Sequence, residues 1–246
     1  MHVETVGSGD RPALIVHGNA LAAPFYRPLA EALAERGFAT RLVTLPGFHR
    51  EPPLARPSWA GLADALLDVL DAPDTTLVGH SMGGLLALMV AARRPRLVGR
   101  LALLEPAIFP SRALARAASR SYLANVVRGE RERFANWNGA MRRVADPARF
   151  PARMIELYLE VRRTSDRATG EALFATLPTL YPLPYAEVAV PTLLVTGAAS
   201  GWRAHAMARW VALRLGARRA VVPDAAHWLA NERDRDVAER LASFVG

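Results

Sequence analysis

A chain of 246 residues, 51% hydrophobic and 22% charged, is long enough to bury a full core as one domain carrying an insertion. It has no cysteine, which excludes disulfides, thiolate nucleophiles and cysteine metal sites. The net charge of +8 comes wholly from arginine, lysine being absent. The arginines are scattered, not gathered into a basic helix or tail, so nucleic-acid binding is not expected. No apolar run reaches bilayer length, and no membrane association is expected. Met1-His2-Val3-Glu4-Thr5 lacks the basic-then-apolar pattern of a secretory signal, which makes a cytoplasmic location the expectation.

In chain order, apolar β-rich runs alternate with helical stretches. Strands are predicted at Pro12–His17, Ala39–Leu45, Thr75–Val78, Leu101–Leu104, Pro191–Thr196 and Arg219–Val222, with a weaker one near His2–Val6. Helices are predicted at Pro24–Arg36, Trp59–Leu70, Met82–Arg94, Trp202–Leu215 and Asp234–Val245. Continuous apolar strands separated by helices imply an α/β fold, a mostly parallel sheet covered on both faces. The rhythm breaks after Pro106. From Ser111 to Leu177 the pattern is helical, at Leu114–Val127, Glu130–Val144 and Arg153–Arg163, until Pro178, Pro182 and Pro184 mark the return to the sheet. The expected organisation is a core of residues 1–110 and 185–246 interrupted by a helical cap at 111–184. Ser111 to Pro178 holds 13 Arg against 7 Asp plus Glu, most of the excess charge. The insertion leaves the carboxyl end of a strand, the end that carries the active site in open α/β sheets.

Gly79-His80-Ser81-Met82-Gly83 follows one strand and opens one helix. A serine on so sharp a turn needs small neighbours, and the helix N-terminus favours negative charge developing beside it. Ser81 is therefore the candidate nucleophile for acyl transfer. The base is expected on a loop after a late strand, where Pro223-Asp224-Ala225-Ala226-His227 supplies His227. An oxyanion hole needs two N–H groups: the backbone of Met82 supplies one. Asn19, in the loop His17-Gly18-Asn19-Ala20, supplies the other, Gly18 permitting close backbone approach.

These motifs, with Leu45-Pro46-Gly47, resemble the α/β-hydrolase fold superfamily over nearly the whole chain. The resemblance implies an eight-stranded, mostly parallel sheet with a helical cap. Relatives commonly place an aspartate three residues after the glycine ending the strand Pro191–Thr196. Here Gly197-Ala198-Ala199-Ser200 puts serine there, and no carboxylate occurs between Val190 and Asp224. Some members place the acid after the strand that follows the nucleophile, where Leu104-Glu105-Pro106 offers Glu105. Glu105 is the candidate acid, with Asp224 as rival and a purely structural Glu-Pro turn as the alternative. Asn19 and Glu105 together also resemble haloalkane dehalogenases. Those enzymes and the related epoxide hydrolases use an aspartate nucleophile, and Ser81 in that position argues against both activities.

His17 and His80 are read as packed structural residues, His49 and His205 as surface residues. Phe25, Tyr26, Trp137 and Trp228 are candidates for an apolar acyl pocket or for ordinary packing. No histidine–carboxylate cluster has metal-ligand spacing, and neither metal nor cofactor is expected. The expected function is a cofactor-free serine hydrolase of small-molecule carboxylic esters. The alternatives are a C–C or thioester hydrolase, with a cap arginine pairing a substrate carboxylate, and a non-catalytic ligand-binding homologue.

Overall fold

The computed structural model describes residues 1–127 and 152–246. Its sheet has seven strands: β1 (His2–Val6), β2 (Arg11–Val16), β3 (Phe38–Thr44), β4 (Thr75–His80), β5 (Val98–Leu104), β6 (Thr192–Gly197) and β7 (Arg218–Val222). They lie in the order β1-β3-β2-β4-β5-β6-β7, and only β1 runs antiparallel to its neighbour. The mostly parallel sheet was legible in the sequence. The eighth strand implied by resemblance is not formed among the described residues.

Strand alternation explains the two-sided core. Ala13 and Ile15 of β2 face one apolar layer with Ala102 and Leu104 of β5, and Leu14 and Val16 face the other with Leu101 and Leu103. Successive side chains point to opposite faces, so a strand covered on both sides must be apolar at every position. The first layer is closed by α1 (Arg27–Ala34) and by the C-terminal helix Asp234–Val245, through Leu29, Leu33, Val237 and Leu241. The second is closed by α2 (Trp59–Leu67), α3 (Met82–Arg93) and the helix Trp202–Leu215. Burial at about 25 cal/mol per Å² of apolar surface drives both closures.

Between β5 and β6 lie α4 (Arg112–Val127), α5 (Ala152–Thr164) and α6 (Arg167–Thr176). The expected helix Glu130–Val144 and Trp137 fall outside the described residues. Helix α6, capped by Asp166 Oδ2 accepting from Thr169 N at 2.8 Å, had no separate place in the sequence reading. This inserted segment is sewn to the core by backbone and side-chain bonds. Arg50 N donates to Thr164 O at 2.9 Å, Asp166 N to Gly47 O at 2.8 Å, and Trp59 Nε1 to Leu173 O at 2.7 Å. His49 belongs to the same seam: it is half-buried, and its N donates to Ser165 Oγ at 3.0 Å. That corrects its reading as a surface residue; His205 is half-buried as well.

Candidate active site

The chain runs from β2 outward to β3, then returns to β4 on the other side of β2. A crevice opens at such a switch point, beyond the carboxyl ends of the strands. The loop leaving β2 and the turn leaving β4 meet there. A Cβ built at Gly18 would lie 3.2 Å from Ser81 Cβ, so the His17–Ala20 loop lies against the serine.

Ser81 is the N-cap of α3 with φ 53° and ψ −116°. A non-glycine residue at positive φ costs roughly 1–3 kcal/mol and persists only where its surroundings hold it. The neighbours do so by close approach. A Cβ at Gly79 would come within 2.3 Å of Gly83 O, and one at Gly83 within 2.3 Å of Val16 O. Ser81 N donates to Leu104 O at 3.0 Å, and Ala107 N donates to Ser81 O at 2.8 Å. The turn therefore leans on β5, the strand whose end carries Glu105. Met82 follows as the first residue of α3, where backbone N–H groups have no intrahelical acceptor.

His227 Nε2 stands 3.1 Å from Ser81 Oγ. On the other side of the ring, Nδ1 lies 3.8 Å from Glu105 Oε2, an ion-pair distance longer than a hydrogen bond. Glu105 is 8% exposed and sits at φ 43°, directly after β5. Its Oε1 accepts from Gly197 N at 2.9 Å and from Ser200 Oγ at 2.7 Å. Burial pushes its pKa up. The interactions with His227, Ser200 and Gly197 together outweigh burial and hold the carboxyl below its ordinary value. Pro106 also packs at the turn, where a Cβ on Gly84 would meet its ring at 2.7 Å, so the Glu-Pro pair has a structural part as well. Asp224, at φ 51°, points its carboxylate to Arg233 at 3.5 Å on the surface.

The sequence candidates Ser81, His227, Glu105, Asn19 and Met82 thus fall in one neighbourhood, and Asp224 faces elsewhere. Asn19 lies on the loop beside Ser81 and reaches the inserted helices. A Cβ at Gly170 of α6 would lie 3.8 Å from Asn19 Oδ1 and 2.8 Å from the Tyr122 hydroxyl of α4. His17 is buried, and burial drives its pKa down to about 4. It donates from Nδ1 to Gly18 O at 2.8 Å and accepts from Leu45 N at Nε2, 3.0 Å, fixing the loop to the end of β3. Phe25, Trp228 and Tyr158 of α5 form an aromatic cluster that includes the residue after His227, with centroids 5.2–6.3 Å apart and Phe25 edge-on to the other two rings. Among the described residues, no group of three or more His, Asp or Glu is placed to hold a metal ion, and no helix is long and apolar enough to cross a membrane.

The profile of the alpha/beta hydrolase family matches residues 13–240. The chain belongs to that family. Two curated relatives share part of it. A 2-hydroxy-6-oxononadienedioate/2-hydroxy-6-oxononatrienedioate hydrolase from a Pseudomonas species is 30% identical over 112 residues, 42% of this chain and 39% of that protein. A pimeloyl-[acyl-carrier protein] methyl ester esterase from Chromobacterium violaceum is 40% identical over 103 residues, again 42% of this chain and 39% of the relative. The matching stretch thus spans about two fifths of the length of these relatives. Among solved structures, an esterase from Exiguobacterium antarcticum superimposes with a TM-score of 0.81 at 19% identity, covering 99% of this chain and 94% of that one. At that identity the likeness shows the fold alone.

Sequence reasoning missed three residues of this neighbourhood. Ser200 was read as a vacancy and instead donates to Glu105. Glu232 Oε2 accepts from Ala226 N at 2.5 Å and so anchors the loop before His227. Tyr26, read as a pocket candidate, turns its hydroxyl to Gly18 N at 3.1 Å and His80 Nδ1 at 2.6 Å. None has a local signature: the partners lie from 6 to 95 positions apart in the chain.

Proposed function

We propose that the protein is a serine hydrolase cleaving small carboxylic esters through an acyl-enzyme, and that residues 111–184 form its cap. The observation that carries this reading is the 3.1 Å approach of His227 Nε2 to Ser81 Oγ, with the Glu105 carboxylate on the far side of the ring. In this mechanism Ser81 Oγ attacks the ester carbonyl while His227 Nε2 takes its proton. The resulting oxyanion is held by the backbone N–H groups of Met82 and Asn19. His227 returns the proton to the departing alcohol. It then takes one from water, whose oxygen attacks the acyl-enzyme, and passes that proton to Ser81 Oγ as the acid departs, which restores the starting state. Glu105 holds the imidazole in the correct tautomer and stabilises the imidazolium as it forms. The 3.8 Å separation shortens in the complex, as such contacts commonly do. No cofactor takes part.

A second reading, a substrate that also bears a carboxylate, is favoured by one feature. Arg162 of α5 donates to Tyr158 Oη at 3.0 Å beside the aromatic cluster and makes no ion pair among the described residues. In that version Arg162 receives the carboxylate. The name of the Pseudomonas relative points the same way, as does the wider bond range of this chemistry, which includes C–C bonds and thioesters. The test is hydrolysis of p-nitrophenyl esters from acetate to long acyl chains, with Ser81→Ala as control. Turnover that disappears in the variant supports the proposal, and turnover that survives it refutes Ser81 as nucleophile.

A further inference from the structure

His80 precedes the proposed nucleophile, is 1% exposed, and takes no part in the mechanism above. Each of its ring nitrogens is nonetheless engaged. Nδ1 lies 2.6 Å from Tyr26 Oη, and Nε2 lies 2.7 Å from the backbone O of His227. The direction of every bond in this chain is fixed by what each group can do. Gly18 N–H can only donate, so Tyr26 Oη accepts from it at 3.1 Å. The hydroxyl proton is then free to go to His80 Nδ1. That leaves the ring proton on Nε2, where it donates to the His227 carbonyl. The result is one directed line: Gly18 N–H to Tyr26, Tyr26 to His80, His80 to His227.

The line begins one residue before Asn19 and ends on the backbone of His227. Its two ends are the loop of the proposed oxyanion donor and the proposed base. We infer that Tyr26 and His80 form a buried brace that sets the oxyanion loop and the base at a fixed spacing across Ser81, acting as positioning residues for the hydrolysis proposed above. The brace needs neutral groups. Burial, helped by the neighbouring His227, drives the His80 pKa down to about 3, and burial holds the Tyr26 phenol well above its ordinary range, so neither ionises near neutrality. His80 is also unsuited to serve as the base itself, because its Nε2 proton is committed to a carbonyl and its Nδ1 lone pair to the phenol. An imidazole ring is what reaches both partners at once: the rings of Tyr26 and His80 are 5.8 Å apart and those of His80 and His227 5.0 Å.

The two halves of the brace can be cut separately. In His80→Asn the side-chain carbonyl takes the place of Nδ1 and still accepts from Tyr26, but nothing donates to the His227 carbonyl. In His80→Gln the longer amide takes the place of Nε2 and restores that donor, but nothing accepts from Tyr26 at the place of Nδ1. Tyr26→Phe removes the link to Gly18 and leaves the ring volume. We would measure kcat and KM on a p-nitrophenyl ester, each variant well below its own melting midpoint, beside Ser81→Ala. The brace predicts a kcat loss of about tenfold to a hundredfold in His80→Asn and in Tyr26→Phe, with KM within about twofold, since a misplacement near 1 Å carries a penalty of that size. It predicts that His80→Gln, which keeps the donor to His227 and forfeits the acceptor for Tyr26, falls in the same range, because the brace needs both bonds from one side chain. Folded His80→Asn and Tyr26→Phe proteins with wild-type kcat overturn it, as does a folded His80→Gln protein with wild-type kcat. If His80→Asn does not fold, Tyr26→Phe decides alone. Failure of the underlying functional reading has a different signature, a wild type without Ser81-dependent turnover.

Discussion

The carboxyl ends of β5 and β6 are neighbours in the sheet and have opposite contents. The end of β6 reads Gly197-Ala198-Ala199-Ser200, and the end of β5 reads Glu105-Pro106. The family resemblance expects the acid at the former. In this chain the carboxylate stands at the latter, and the β6 end serves it instead, through Gly197 N at 2.9 Å and Ser200 Oγ at 2.7 Å. The comparison teaches that a place in space, beside the far nitrogen of His227, is what the chemistry needs. In the mechanism proposed above the β5 end fills it, and the β6 end contributes hydrogen-bond donors to that carboxylate. That exchange has a backbone cost, since Glu105 is held at φ 43°.

The comparison can be broken most forcefully at Glu105. Glu105→Gln keeps shape and loses charge, and kcat should fall by about 10³–10⁴, the size seen when the acid of such a triad is neutralised. Steady-state kinetics with a melting curve on the same preparation check this, and a folded variant within tenfold of wild type would remove Glu105 from the mechanism. The exchange can also be run backwards. Glu105→Ala with Ser200→Asp returns the carboxylate to the β6 end, and the double variant should regain at least about tenfold over Glu105→Ala alone, because the two side chains already meet at 2.7 Å. No gain would mean the β6 end cannot aim a carboxylate at His227.

Smaller effects sharpen the same contrast. Ser200→Ala removes one of the two donors to Glu105 Oε1, and hydrogen bonds to a charged group contribute about 1.5–3 kcal/mol. The expected kcat loss is about tenfold, with Gly197 N still in place. The pH dependence of stability follows from the lowered Glu105 pKa. The unfolded chain binds the proton more readily than the folded one. The stabilising contribution is therefore present above the ordinary carboxylate value, 4.5, and is lost as pH falls from there through the lowered folded value. Urea unfolding from pH 7 to pH 3 should show wild type losing more stability than Glu105→Gln, and equal losses would contradict the assignment. The smallest effect is expected at Asp224, which faces Arg233 at the surface. Asp224→Asn should leave kcat within about twofold.

The sequence carried the sheet because each buried strand must be apolar along its length, and it carried Ser81 and His227 because a strand–turn–helix and a loop before the last helix leave local patterns. Glu105 was legible only through the family resemblance, which offers the end of β5 as a second place for the acid where Ser200 stands at the first, and through the chain order Ser81, Glu105, His227. What stayed hidden is what depends on partners far apart in the chain. Tyr26 meets His80 across 54 positions and His80 meets His227 across 147. Gly47 binds Asp166 in the seam to the inserted helices. A tyrosine in an apolar run looks like pocket lining until its hydroxyl partner is known, and the conformations of Glu105 and Asp224, both at positive φ without glycine, have no composition cue.

The most direct measurement is covalent labelling with a fluorophosphonate, which needs no knowledge of the natural substrate, followed by peptide mass mapping. The account predicts one adduct, on Ser81, formed rapidly in wild type and in Asp224→Asn, at least about a hundredfold more slowly in Glu105→Gln, and absent in His227→Ala. Labelling at another residue, or labelling of Glu105→Gln at the wild-type rate, would contradict it.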